Sequence, residues 1–406
     1  MKKIKKYMQY ALVGAASLAL MPALSSCDDD DDNSDADPVI SYIRPTDPAS
    51  SDSLLAAASL GQVIAIMGDN LDNIRALSFN DQEVTLNTCY MQEHSLIVTV
   101  PTAIPERITD SLYITASNGN VIRYPFVSTI PSPVVNSVST EQVKEGDVIY
   151  VNGNFFVATE TTPVSLTFNG NVNGEYLPEQ SSYTRAAFKV PAGVQPGVIS
   201  VSTAYGTSTP SSGIVYINDD RSEYMLIDFD KFAFNGWGKT AIVDGDFGKC
   251  AYLHSAEVDL WSWDENTTML FSNTGEGQPH FVSPATKPED GYLKFEIKVD
   301  QPWTAVALYF EFQTPSQSTN NQFGTNPGYC WEPWKAGAYT TDGWATVSIP
   351  LSNFNQTTDG KGSDAGVFPP SQIDGLNLFV RGGTGAEGSL TAVSMYLDNF
   401  RIVPAE

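Results

Sequence analysis

Tyr329, Trp331 and Trp334 fall within the stretch "NPGYCWEPWKAG" (326–337), with Glu332 between the two indoles. An aromatic plane offers an apolar surface to the C–H face of a sugar ring. Carboxylates and amides beside it take the hydroxyls, and ligand sites need that mixture of apolar wall and a few placed polar groups. Base–aromatic stacking is worth about 1–3 kcal/mol per ring, and stacking on a sugar should be of similar or smaller size. The preceding "QTPSQSTNNQFGTNPG" is polar and unusually long for a loop inside a compact domain, which favours a working loop. The stretch is therefore expected to present its rings at a loop exit. Burial is the competing expectation, because Trp is highly buried on average.

All seven Trp residues lie after position 220. Trp237 stands between glycines in "FNGWGK", where nothing crowds an approaching ligand. Trp261 and Trp263 in "VDLWSWDEN" are two apart and share one strand face, so one is expected in the core and the other, Trp261, within reach of the surface. Trp303 sits where a strand begins, and the sequence leaves its side open. Trp344 opens "WATVSIPL" and reads as structural. The candidate binding set is Trp331, Trp334, Tyr329, Trp237, Trp303, Trp261 and Glu332.

Other chemistry is poorly supported. Glycosidases need two carboxylates about 5–9.5 Å apart. Glu296 and Glu311 each stand alone between hydrophobic residues, without the tight "E-x-D-x-x-E" strand of jelly-roll glucanases, and Glu332 lies beside the tryptophans. No GxSxG, HExxH or phosphate-loop pattern occurs. Three scattered histidines and four separated cysteines give neither a zinc pattern nor a disulfide framework, and Cys89, Cys250 and Cys330 read as free thiols. Asp228, Asp230 and Asp398 would meet if the first and last strands of this region pair. Such oxygens suit Ca²⁺, but ordinary polar edge residues explain them as well. No other cofactor is expected.

The elements that position these residues are strands. Between 220 and 406, "YMLIDFDKF", "GYLKFEIKVD", "AVALYFEFQT", "WATVSIPLSNF", "GLNLFV" and "SMYLDNFRIVP" alternate or run apolar between Gly/Asn/Thr/Ser-rich loops. That predicts a large antiparallel jelly-roll-like sandwich with its opening and closing strands paired. Upstream the chain repeats itself. "VIAIMGDNL" answers "VIYVNGNFF", "LSFN" answers "LTFN", "VTVP" answers "FKVP" and "LYITASNGN" answers "ISVSTAYGT", at offsets of 85, 89, 90 and 87 residues. Two immunoglobulin-like sandwiches are predicted, over 39–130 and 133–218, with the proline-stiffened "IPSPVV" as hinge. The whole chain is expected to be all-β: two tandem immunoglobulin-like β-sandwiches followed by a larger jelly-roll-like β-sandwich over 220–406.

The N-terminus reads as a processing signal: basic "MKKIKK", an apolar run, then "LSSC". Cys27 would carry a lipid, anchoring the chain to a membrane without spanning it. Residues 28–38, beginning with five aspartates, would form an acidic tether. With 47 acidic and 22 basic residues, a net charge of −25 and no basic stripe after the leader, nucleic acid is excluded as a partner.

The repeated "V-x-G-x-x-F/L" and "V-P" signatures resemble the TIG/IPT subfamily of immunoglobulin-like domains, and the acidic run resembles the export signal of Bacteroidetes surface lipoproteins. In order, the lipobox with its acid run, the tandem TIG-like modules and the Trp-rich sandwich ending in "YLDNFRI" resemble the Bacteroidetes surface glycan-binding proteins of the "protein B" type. That resemblance implies a non-enzymatic outer-membrane lipoprotein facing the exterior. Its last domain would bind a neutral β-glucan such as laminarin, mixed-linkage glucan or xyloglucan for an outer-membrane import complex. A surface adhesin or protein-docking lipoprotein, and a jelly-roll glycoside hydrolase, are the alternatives.

Overall fold

The computed structural model describes residues 36–50, 52–159, 161–209, 215–231, 240–258, 268–272, 280–320, 326–381 and 391–405. Cys27, Trp237, Trp261 and Trp263 lie outside them. The chain forms two compact units, 1–129 and 130–406.

The first unit holds two four-stranded sheets. One runs in the order Val39–Pro45, Val63–Asp69, Ser95–Thr99, Tyr90–Gln92. The other runs Gln82–Glu83, Ile74–Phe79, Ser111–Ala116, Val121–Pro125. The early part of the second unit repeats this: Val134–Val138, Val148–Asn154, Arg185–Lys189, Glu175–Tyr176, facing Val172–Asn173, Ser165–Phe168, Ser200–Thr203, Gly206–Thr207. Each pair of matching sequence segments occupies matching strands, as the offsets predict. The shared glycine of the motif has a steric cause. A side chain at Gly68 would strike the carbonyl of Val39, and one at Gly153 the carbonyl of Val134. In both copies the first strand bulges there, between Ile40 and Tyr42 and between Val135 and Ser137.

The rest of the second unit is the larger sandwich. Its strands are β1 (Met225–Ile227), β2 (Ala241–Gly245), β3 (Gly248–Val258), β4 (Thr268–Ser272), β5 (Gly291–Val299), β6 (Ala307–Gln313), β7 (Gly328–Trp331), β8 (Ala345–Pro350), β9 (Gly375–Arg381) and β10 (Thr391–Pro404). One sheet runs β2-β3-β10-β5-β8, with β1 also on β10; the other runs β4-β9-β6-β7. Opening and closing strands pair as expected, Met225 opposite Arg401. Alternate residues of each strand fill the space between the sheets: Leu293, Phe295 and Ile297 from β5, Leu308, Phe310 and Phe312 from β6, Leu376 and Leu378 from β9, Met395, Leu397 and Phe400 from β10.

Two local expectations are corrected. The polar loop after β6 is interrupted by a short helix, α1 (Pro315–Thr319), whose entry is tied by the Thr314 N–H donating to Gln317 Oε1 at 2.9 Å. And "GYCW" is not a loop exit but the edge strand β7, with Leu308 opposite Trp331 and Phe310 opposite Tyr329. Cys89, Cys250 and Cys330 are free thiols.

Candidate functional site

The edge strand β7 divides its side chains between two faces. Tyr329 and Trp331 lean half-buried on the main core, while Cys330 turns the other way and is buried with Ala307 and Tyr309. Trp331 meets three rings at steep angles: Phe295 at 5.7 Å, Trp303 at 5.7 Å and Tyr339 at 5.4 Å between centroids. Such edge-to-face contacts add about 0.5–1.5 kcal/mol each beyond burial. Tyr329 tilts against Phe354 at 6.1 Å. Trp334 follows in the 3-10 turn Pro333–Ala336, half-buried, its Nε1 donating to the Val306 carbonyl at 2.7 Å. Glu332 faces Lys335 at 2.5 Å. The four residues of "YCWEPW" singled out from sequence therefore do come together, at a sheet edge, with part of each ring built into the core.

Trp303 is corrected outright. It is only 1% exposed, and its Nε1 donates to the Ala305 carbonyl at 2.6 Å. A ring sealed in the core offers no face to a sugar. Its role is local: Val306 takes φ +58°, a left-handed conformation that a β-branched residue resists. The indole N–H groups of Trp303 and Trp334 hold the two carbonyls of that turn, at Ala305 and Val306.

The acids do not form a hydrolytic pair. Lys294, Glu296 and Lys298 alternate with core residues of β5 and leave the sandwich on one side. Tyr309, Glu311 and Gln313 alternate with core residues of β6 and leave it on the other. Packed sheets stand about 10 Å apart, so Glu296 and Glu311 have both sheets between them. Glu296 is engaged elsewhere: it accepts from Arg401 Nη2 at 2.9 Å and Thr346 Oγ1 at 2.6 Å, and burial raises its pKa. Beside Glu311 on the opposite outer face lies Asn377, its register partner across β6 and β9, fully buried with no hydrogen-bond partner for its amide among the described residues.

The three aspartates do converge where β1 meets β10, but not as a cage. Lys231 pairs with Asp228 at 2.8 Å, Asp230 accepts the Lys249 backbone N–H at 2.9 Å, and burial, with Asp230 and Glu296 nearby, pushes the Asp398 carboxyl up to about 8. Among the described residues, no three His, Cys, Asp or Glu side chains are grouped to hold a metal.

Sequence reasoning missed a second aromatic set, on the outer face of the β2-β3-β10-β5-β8 sheet. Tyr252 and Tyr396 are cross-strand partners with rings stacked at 4.5 Å. Trp344 sits edge-on to Tyr396 at 6.5 Å and to Phe247 at 6.5 Å. The signal was present: in "AYLHS" and "SMYLDNF" the tyrosines fall on the polar side of the alternation.

Residues 217–404 match the family model described as the surface glycan-binding protein B xyloglucan binding domain. The match takes in the C-terminal sandwich, just under half of the chain. It resembles the crystal structure of the surface glycan-binding protein PbSGBP-B from Prevotella bryantii, with 27% identity, a TM-score of 0.70, and coverage of 91% of this chain and 99% of that one. An IPT/TIG domain-containing protein from Bacteroides ovatus is 36% identical over 166 residues, 38% of this chain; the match spans 33% of that relative's own length. The matched family and the similar Prevotella bryantii protein are both described as glycan-binding proteins.

Proposed function

We propose that this chain is a surface glycan-binding protein that captures a neutral β-glucan on its C-terminal sandwich and holds it for uptake by an outer-membrane import complex. The observation that carries this reading is the family match of residues 217–404. The local geometry agrees with it. Tyr329, Trp331 and Trp334 gather half-buried rings at one sheet edge, whereas the Glu332 side chain is only 6% exposed and paired with Lys335, so it supports that edge and is not offered to a ligand. Trp237 and Trp261 belong to the same proposed set on sequence grounds. Cys27 would carry the lipid anchor in the outer membrane, facing the exterior. The sandwiches over 39–130 and 133–218 would serve as spacers lifting the site from the lipid. The described residues contain no helix long and apolar enough to cross a membrane.

The test is affinity electrophoresis of residues 28–406 through native gels containing xyloglucan, mixed-linkage glucan, laminarin or no glycan. Retardation by at least one β-glucan is expected, and weaker retardation of the Trp331→Ala/Trp334→Ala variant that still shows a cooperative unfolding transition. A chain that runs unretarded in every gel sinks the β-glucan reading.

A further inference from the structure

A cleft of about 700 Å³ lies between the second immunoglobulin-like sandwich and the C-terminal sandwich. Both belong to one compact unit. Its walls carry Tyr150, Gln142 and Gln180 on one side and Trp344, Phe247 and Asp342 on the other. That volume is in the usual range for small-ligand sites, about 300–1,000 Å³.

The lining suits an uncharged, hydroxyl-rich ligand. Apart from Asp342, an exposed carboxylate at the rim, its charged groups are engaged within the lining. Lys144 faces Asp246 at 3.4 Å, Asp246 accepts the Trp344 indole N–H at 3.0 Å, and Arg185 lies 3.8 Å over the ring of Tyr150. Asp147 accepts the backbone N–H of Lys144 at 2.9 Å. What remains is amide and hydroxyl hydrogen bonding beside aromatic surface. In a chain of net charge −25, a lining with no surplus of cations excludes a polyanion.

The cleft is also rigid. Its two walls are welded beneath it by buried charges: Glu141 of the second sandwich takes Lys294 Nζ at 2.5 Å and Arg401 Nη2 at 2.5 Å from the C-terminal sandwich. Beside them the Thr346 N–H donates to the Ser139 carbonyl at 3.1 Å, and the Glu141 N–H donates to Thr346 Oγ1 at 2.6 Å. A preformed cleft spares a ligand the cost of ordering its walls. The aromatic row of Trp344, Tyr396 and Tyr252 leads from the cleft across the exposed sheet face.

We infer that this cleft is a second glycan-contact site, taking a neutral oligosaccharide segment of the same polymer that the C-terminal sandwich captures. The inference rests on the glycan-binding reading above. Two contacts on one long chain raise its apparent affinity without either being tight.

The experiment compares residues 28–406 with three variants in the same glucan-containing native gels. They are Trp344→Ala, Trp344→Phe, and Gln142→Ala/Gln180→Ala on the opposite wall. Retardation by the retained glucan should weaken about threefold to tenfold for Trp344→Ala and for the glutamine pair, the worth of one aromatic or a few polar contacts. Trp344→Phe should recover most of it. Gln142 follows Glu141 in the chain, but neither glutamine side chain takes part in the buried ion pairs, so the pair decides the matter if Trp344→Ala unfolds. Wild-type retardation in the glutamine variant overturns the second site while leaving glycan capture standing. A wild-type chain unretarded by any glucan removes both.

Discussion

Arg401 on β10 donates from Nη2 to Glu141 Oε2 at 2.5 Å, across the seam between the second and third sandwiches, 260 residues apart in sequence. Both side chains are all but sealed from solvent, at 1% and 3% exposure. A buried ion pair contributes little net stability, because desolvation cancels most of its Coulombic gain, but breaking one partner strands the other. Around Arg401 the charges alternate: Glu141 and Glu296 within 2.9 Å, Asp219 at 3.7 Å, and Lys294 on the far side of Glu141. The cluster ties the loop at Glu141 to β5 and β10 of the C-terminal sandwich.

Glu141→Ala should therefore be strongly destabilising. It leaves Lys294 and Arg401 buried with one anion fewer, and the expected loss is about 3–5 kcal/mol. Urea unfolding of residues 28–406 reads it directly. Glu141→Gln, which keeps the shape and part of the hydrogen bonding, should lose less. Equal stability in all three chains would mean that the seam is open to water.

The Asp398 carboxyl sits near 8 in the folded protein, raised by burial with Asp230 and Glu296 nearby, against 3.8 for an ordinary Asp. Between those values the folded chain binds a proton the unfolded chain does not. This residue's contribution to stability therefore falls as pH rises from about 4 to 8, and levels off above. Asp398→Asn keeps an oxygen for the Asn399 N–H that Asp398 now accepts at 2.8 Å. The variant should match the wild type at pH 4 and exceed it by a few kcal/mol at pH 8.5. Thermal melts at the two pH values check the crossing; a variant less stable at pH 8.5 would refute the protonated carboxyl.

The thiols give a separate check on burial. Desolvation pushes Cys250 and Cys330 up to about 12, and both are buried. Cys89 is raised too, though half-exposed. Only the thiolate reacts. In residues 28–406, Cys89 should label first with a disulfide reagent at pH 8, and the other two only in denaturant. Rapid labelling of all three would show that the C-terminal core opens readily.

The strands were legible because the solvent enforces a period of two on any half-buried strand, and because the first two sandwiches say the same thing twice. The glycine of "MGD" and "NGN" was legible for the same reason: one bulge, repeated. The seam was not, since Glu141, Lys294, Glu296 and Arg401 are neighbours only after β5 has paired with β10 and the loop carrying Glu141 has docked on them. The edge strand "GYCW" was hidden too. It has four residues, it opens on Gly328 just after Pro327, and only the partner strand Ala307–Gln313 makes it a strand. Trp303 could not be sided from sequence because it stands at an isolated bridge to Tyr339, outside any alternating run.

The tryptophans can be separated by reading stability and binding together. Trp303→Phe removes the N–H held by Ala305 and part of a core ring. It should cost about 1–3 kcal/mol and leave glucan retardation unchanged at a temperature where the chain is folded. Trp334→Phe keeps the ring but frees the Val306 carbonyl, costing about 1 kcal/mol, and should also bind nearly as well as wild type. Trp334→Ala removes the ring itself and should weaken retardation about threefold or more if that ring stacks on the glycan. If Trp334→Ala loses stability and no retardation, Trp334 is core alone, like Trp303, and the binding surface must be sought at Trp237 and Trp261.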